Sequence, residues 1–195
     1  MLDTYGRKYV SPLIGFWVNL FHKLNWTPTQ VTILAFFLGL LAMVAYVLGY
    51  VILGVILLWV SGLLDAVDGA LARKTGAISQ WGTLLDITFD RLVEIGLLGA
   101  IAWQMPKMHL PIIAVLCSII LSMTIFLTVG ALSVNEGQKS FRYQAGIAER
   151  TEGFLFITAM MLVPAYGGII AWVFAVLILI TAFQRLKEAK KILKH

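Results

Sequence analysis

Between positions 65 and 90 the sequence sets four aspartates at helical intervals, Asp65 with Asp68 three apart and Asp86 with Asp90 four apart. Residues three or four apart share one helix face, so each pair projects its carboxylates in one direction. The connection "KTGAISQWGT" is short. It is expected to return the chain as an antiparallel neighbour, so that the two acidic faces meet at one depth. Four converging carboxylates repel one another unless cations neutralise them. No cysteine or histidine lies nearby, and oxygen-only ligation selects hard cations such as Mg²⁺, Mn²⁺ or Ca²⁺. Four acids suffice for two such ions, and paired ions clamp the attacking and leaving oxygens of a phosphoryl transfer. Gly69, Ala72, Gly76 and Gly82 are small enough to let a flat ligand approach the helix backbones. Arg73 adds a forked donor suited to phosphate oxygens. These residues point to an enzyme handling a diphosphate through two divalent cations. The same acids also suit the ion path of a cation transporter, or a structural aspartate–arginine network. Their placement at one end only, beside Arg73 and the glycines, speaks for the enzyme.

The elements that carry these residues are strongly apolar. Of 195 residues, 60% are hydrophobic and 13% charged, and the mean hydropathy is +0.90. Val31 to Leu64 and Leu110 to Leu132 contain no charge at all. A bilayer-spanning helix needs about 20 predominantly apolar residues. The expected architecture is therefore all-α and polytopic, with six transmembrane helices near 30–49, 51–73, 82–104, 110–133, 150–165 and 168–185. Breaks at Gly49–Tyr50 and at Pro164 to Gly168 separate the first and last pairs. One membrane domain is expected over 1–195: an interfacial helix in 1–28, a bundle in 30–185 and a basic tail in 186–195.

Basic residues orient the bundle. Arg7, Lys8 and Lys23 precede the first span, Arg73 and Lys74 follow the second, and Lys139, Arg142 and Arg150 flank the fourth connection. Arg185, Lys187, Lys190, Lys191 and Lys194 follow the last, and only Lys107 falls opposite. This imbalance places both termini in the cytoplasm, with the acidic site. The net charge of +5 then reflects topology and contact with anionic membrane lipids, not nucleic-acid binding. Near the N-terminus, Val10, Leu13, Ile14, Trp17, Val18, Leu20 and Phe21 recur at helical spacing among polar residues. That pattern suits an amphipathic helix in the cytoplasmic interface, or an extra packed helix of the bundle. No cleavable leader is apparent, since the first long apolar block begins near Val31. Cys117 sits alone in an apolar run, and His22, His109 and His195 are scattered without metal-ligand spacing.

The pattern Asp65-x-x-Asp68-Gly69-x-x-Ala72-Arg73, eight residues, then Gly82-x-x-x-Asp86-x-x-x-Asp90 resembles the signature of the CDP-alcohol phosphotransferases. That family's six spans and interfacial N-terminal helix agree with the rest of the chain. The resemblance implies transfer of a phospho-alcohol group from a CDP-linked lipid to an acceptor hydroxyl, with CMP leaving. It implies that Asp65, Asp68, Asp86 and Asp90 hold two Mg²⁺ or Mn²⁺ ions, with Asp90 also the general base. It implies that Arg73 binds the diphosphate and Gly69 leaves room for cytidine, with Ala72 and Gly82 beside the donor. Ser79 and "TQVT" (Thr29, Gln30, Val31 and Thr32) match positions that contact the CDP moiety in the family. A homodimer is implied on the same basis. A hydroxyl is a poor nucleophile, so a base in hydrogen-bond reach is needed, and direct displacement is the expected route.

For the acceptor, "DRLVE" and "GIAER" resemble the branch that makes phosphatidylinositol phosphate. Arg185, in the "QR" of the last span, matches one member of that branch's phosphate-gripping cluster. Without gaps, other basic positions fall on Ser133, Asn135 and Gly153. Lys139 and Arg142 are candidate substitutes or solvated topogenic charges, and Arg150 is a candidate at the acceptor entrance. Inositol, inositol phosphate, serine and glycerol 3-phosphate all remain open, although "DITFDR" departs from the "DPxADK" usual in the glycerol 3-phosphate branch. Glu94, one turn beyond Asp90, either orients the site or pairs with a neighbouring helix.

Overall fold

A computed structural model describes residues 2–134 and 150–193. Every regular element among them is helical: α1 (Leu2–Lys23), α2 (Pro28–Val47), α3 (Val51–Thr75), α4 (Gln80–Gln104), α5 (His109–Val134), α6 (Arg150–Leu162) and α7 (Gly167–Ile192). Single 3₁₀ turns at Pro106–Met108 and Pro164–Tyr166 precede α5 and α7. Among the described residues, four stretches are long and apolar enough to cross a membrane: Pro28–Val47, Val51–Thr75, Pro106–Leu132 and Pro164–Lys191. The chain is accordingly an integral membrane protein. The other two expected spans fall on α4 and α6. Asp86, Asp90, Arg91 and Glu94 dilute the apolar character of α4, and α6 runs for 13 residues.

Local chemistry sets the boundaries. Thr27 caps α2: its hydroxyl accepts from Gln30 N while the Gln30 side chain accepts from Thr27 N at 2.9 Å, with Pro28 in the first turn. This capping box starts the helix two residues earlier than apolar content suggests. Gly49, with φ at 86°, makes the turn into α3, and Gly76, with φ at 70°, closes α3 in the left-handed conformation. Ser79 then caps α4, accepting from Gly82 N at 3.0 Å. α7 continues through the expected tail to Ile192, because Lys187, Glu188, Lys190 and Lys191 are good helix formers without a breaker among them.

The chain divides into two compact units, one covering Thr4–Met105 and the other beginning at Pro106. In the first, α3 and α4 each pack chiefly along α2 rather than along one another. The close approach of α4 to α2 depends on Gly39, where a Cβ would strike both Val93 methyls and come within 3.2 Å of Ser61 Oγ. Ser61 donates to Ala35 O at 2.7 Å. At the far end Gln104 donates to Tyr46 O and Val47 O, at 2.8 and 3.0 Å, satisfying carbonyls that end α2. Val18 and Phe21 of α1 are buried with Val31, Ala35, Leu64, Val67 and Leu71. The C-terminal half of α1 is thus packed on the bundle, while Val10, Leu13 and Phe16 stay exposed. In the second unit α7 is the common partner of α5 and α6, with Phe156 stacked on Phe174 at 4.8 Å.

Candidate active site

The four aspartates singled out in the sequence are carried by α3 and α4. Asp65 and Asp68 stand in the last turns of α3, Asp86 and Asp90 in the first turns of α4. Each of Asp65, Asp68 and Asp86 offers an oxygen, and the three lie within 4.8 Å of one another. Asp68 is buried and the other two are half-buried. Asp68 Oδ2 and Asp86 Oδ1 are buried without a hydrogen-bond partner. Buried acceptors normally have partners, and like-charged oxygens this close call for a cation between them. The donor set is entirely carboxylate, so it fits Mg²⁺ or Mn²⁺. Asp90 is outside the converging trio, but Asp86, Arg91, Glu94 and Asp68 make up its charged surroundings.

The remaining predicted residues divide by what they touch. Gly69 lies under the Arg73 side chain: a Cβ there would meet Arg73 Nη1 at 3.4 Å, so the guanidinium folds back along α3 toward the acids. Arg73 itself is exposed and Ala72 half-buried. Of the "TQVT" stretch, Thr29 is half-buried, Gln30 completes the capping box, and Val31 is a core residue. Thr32 is buried, donating to Pro28 O at 3.1 Å, and its hydroxyl is a near neighbour of the Asp68 carboxylate. Ser79 and Gly82 are joined by the α4 cap. Arg150 and Arg185 belong to the second unit. Arg185 is buried, donates to Ser122 Oγ at 3.0 Å and lies 4.9 Å above the Phe126 ring. Arg150 lies 5.4 Å above the Phe154 ring. Lys139 and Arg142 lie outside the described residues.

Two features beside the acids were not among the contacts expected from the sequence. Phe36 stacks on Phe89 at 4.2 Å, tying α2 to α4 one residue before Asp90. Arg91 forms an ion pair with Glu94 within α4. The three-residue interval of the second pair is visible in sequence; the 53-residue separation of the first is not.

Residues 25–183 match the family model described as CDP-alcohol phosphatidyltransferase. Archaetidylinositol phosphate synthase of Pyrococcus horikoshii is 36% identical over 98% of this chain and 97% of its own. The inner membrane protein YnjF of Escherichia coli is 32% identical over 95% of this chain and 93% of its own. Among solved structures, phosphatidylinositol phosphate synthase of Mycobacterium tuberculosis with CDP-DAG bound superposes with a TM-score of 0.74 at 24% identity, over 94% of this chain and 98% of that one. The same enzyme in complex with manganese and citrate gives a TM-score of 0.71 at 23% identity, over 91% of this chain and 90% of that one.

Proposed function

This chain belongs to the CDP-alcohol phosphatidyltransferase family, and from that premise we propose that it transfers the phosphatidyl group of a CDP-linked lipid such as CDP-diacylglycerol to inositol phosphate, releasing CMP. The observation that carries the reading is the convergence of Asp65, Asp68 and Asp86 oxygens within 4.8 Å, with two of those carboxylates holding orphaned buried oxygens. The names of the relatives from Pyrococcus and Mycobacterium support the acceptor.

In this reading Asp65, Asp68 and Asp86, joined by Asp90, hold two divalent cations, Mg²⁺ or Mn²⁺. When bound, the cations screen the diphosphate and stabilise charge on departing CMP. Arg73 grips the diphosphate, Gly69, Ala72 and Gly82 leave room for the nucleotide, and Thr29 to Thr32 with Ser79 border it. Asp90 takes the proton of the acceptor hydroxyl as that oxygen bonds to the lipid-bearing phosphorus and the P–O bond to CMP breaks. Arg150 and Arg185, with Lys139 and Arg142, supply positive charge for the acceptor phosphate. Six spans in one domain over 1–195, α1 in the cytoplasmic interface, both termini in the cytoplasm and a homodimer complete the proposal. The basic residues clustered on one side support the orientation. A cytoplasmic site at the membrane boundary lets a lipid donor arrive from the leaflet while its nucleotide head meets the acids.

The test is CMP release from the purified full chain given CDP-diacylglycerol, Mn²⁺ and each of inositol phosphate, inositol, serine and glycerol 3-phosphate. Release with inositol phosphate, abolished in Asp90→Asn while CDP-lipid binding persists, is expected. Full turnover in that variant removes Asp90 as base, and release with another acceptor reassigns the product.

A further inference from the structure

Thr32 closes the "TQVT" stretch, yet its side chain is 6% exposed and presents almost nothing to a ligand. The seam between α2 and α4 shows where it lies. Phe36 stacks on Phe89 at 4.2 Å, Gly39 faces Val93, and Met43 Sδ lies 3.1 Å from where a Gly96 Cβ would stand. These pairs advance together turn by turn, so α2 and α4 run parallel and in step. One turn nearer their N-terminal ends, the same step sets Thr32 level with Asp86. On α3, Ser61 donates to Ala35 O, and two turns further along that antiparallel helix Asp68 comes beside the first turn of α2. There the Thr32 hydroxyl is the side-chain hydrogen-bond donor to the Asp68 carboxylate.

That hydroxyl has one hydrogen and two acceptors. It donates to Pro28 O at 3.1 Å. The regular helical ladder also brings the Thr32 N–H to Pro28 O, so this carbonyl keeps a partner when the hydroxyl turns away. Asp68 has less to fall back on. Arg73 and Asp86 act on it through charge, and its other donor is the adjoining Gly69 N–H. Its Oδ2 is buried with no hydrogen-bond partner. The terminal torsion of an aspartate is broad, so a carboxylate without a fixed donor swings its oxygens away from an ion. A hydroxyl on one oxygen fixes that torsion and leaves the other for a cation shared with Asp65 and Asp86, whose oxygens lie within 4.8 Å.

We propose that Thr32 is a positioning residue that orients the Asp68 carboxylate for a divalent cation, its hydroxyl turning from Pro28 O to Asp68 as the ion binds. The side chain of Thr32 acts through Asp68 and touches neither the ion nor the nucleotide. The inference rests on the cation reading of the acids given above, and it deepens that reading by giving the last residue of "TQVT" a duty to the metal site.

The experiment compares wild type with Thr32→Val, Thr32→Ala and Thr32→Ser, all as full-length protein in detergent. Mn²⁺ affinity is measured by titration, with free Mn²⁺ counted from its electron paramagnetic resonance signal. The thermal midpoint without metal, and the KM for CDP-diacylglycerol at saturating Mn²⁺, are measured beside it. Thr32→Val keeps the shape and loses the donor, and its Mn²⁺ affinity is expected to fall by about 10–100-fold, the usual effect of removing a group that orients a metal ligand. Thr32→Ala, which adds no methyl where the hydroxyl stood, is expected to show the same loss and carries the comparison where Thr32→Val does not fold. Thr32→Ser restores the hydroxyl and is expected to bind Mn²⁺ nearly as wild type does, with the KM unchanged throughout. Wild-type Mn²⁺ affinity in the folded Val or Ala variant overturns the inference, and so does a Ser variant as weak as either. A raised KM with intact Mn²⁺ affinity overturns it in favour of a donor contact. Wild type that binds Mn²⁺ but releases no CMP refutes the transfer reaction instead, and the affinity comparison still decides the role of Thr32. Wild type that binds no Mn²⁺ overturns the cation reading and this inference together.

Discussion

Replacing Gly39 by alanine probes how strictly the fold positions the acids. The added Cβ would sit 2.8 Å from Val93 Cγ1 and closer still to Cγ2. Carbon atoms prefer separations of about 3.5–4.0 Å, and the nearer methyl decides the shift, so α4 must retreat from α2 by more than about 1 Å unless a side chain yields. Neither neighbour yields easily. Val93 is buried and β-branched, hence stiff at χ1, and Ser61 is held by its 2.7 Å bond to Ala35 O. Overpacking of this kind costs about 1–3 kcal/mol, of which the gain in helix propensity from glycine to alanine returns about 1 kcal/mol. The net cost is then about 0–2 kcal/mol, or a thermal midpoint lowered by no more than about 8 °C at about 2–4 °C per kcal/mol. Activity should suffer far more, because Val93 lies three residues from Asp90 on α4, and a 1 Å misplacement of catalytic groups costs about 10²-fold. Gly39→Ala is therefore expected to stay folded, with CMP release reduced by about 10²-fold and Mn²⁺ affinity weakened. Gly39→Ala with Val93→Ala, which removes the struck methyls, should recover most of both. Native turnover and Mn²⁺ affinity in the single variant would refute the idea that this contact sets the register of α4 against the site.

Three further expectations test other contacts. Gly69→Ala meets only the flexible end of Arg73, at 3.4 Å, so its thermal midpoint should match or exceed wild type while KM for the CDP-lipid rises; an unchanged KM removes Gly69 from the donor site. Ser79→Ala loses the cap of α4 and should cost about 1 kcal/mol, read as a lower thermal midpoint. Ser79→Asp keeps the cap, so a rise in donor KM in that variant isolates the nucleotide contact from the structural one. Ser122→Ala removes the hydroxyl that accepts from Arg185 and should cost about 1–3 kcal/mol; a midpoint equal to wild type argues against that contact anchoring the arginine.

The acids were legible in the sequence because helical spacing is a local property: Asp65 with Asp68 and Asp86 with Asp90 declare their shared faces without any tertiary knowledge. The turn at Gly49 was legible as a break between two apolar runs, whereas α4, expected from residue 82, begins at Gln80 under a Ser79 cap that the sequence reading did not identify. The short link suggested that α3 and α4 pack side by side, yet both lean chiefly on α2 and meet through their carboxylates. That arrangement depends on Gly39 meeting Val93 and on Phe36 meeting Phe89, pairings over separations that no periodicity encodes. Ser79, Gln30 and Val31 show a related ambiguity. A motif position marks where a residue belongs, but a helix cap, a capping box and a core contact each occupy such a position for reasons of folding. The apolar stripe of α1 was visible too, whereas the burial of Val18 and Phe21 against α2 and α3 needed the tertiary structure.

The left-handed cap at Gly76 makes the link to Ser79 only a few residues long, and this has a bearing on biosynthesis. The oxygens of the trio come from a contiguous stretch, Asp65 to Asp86, within the compact unit Thr4–Met105. Contacts between residues close in sequence form quickly, since little loop entropy must be surrendered. All three carboxylates are therefore synthesised before α5 to α7, and all three lie in the unit that those helices do not belong to.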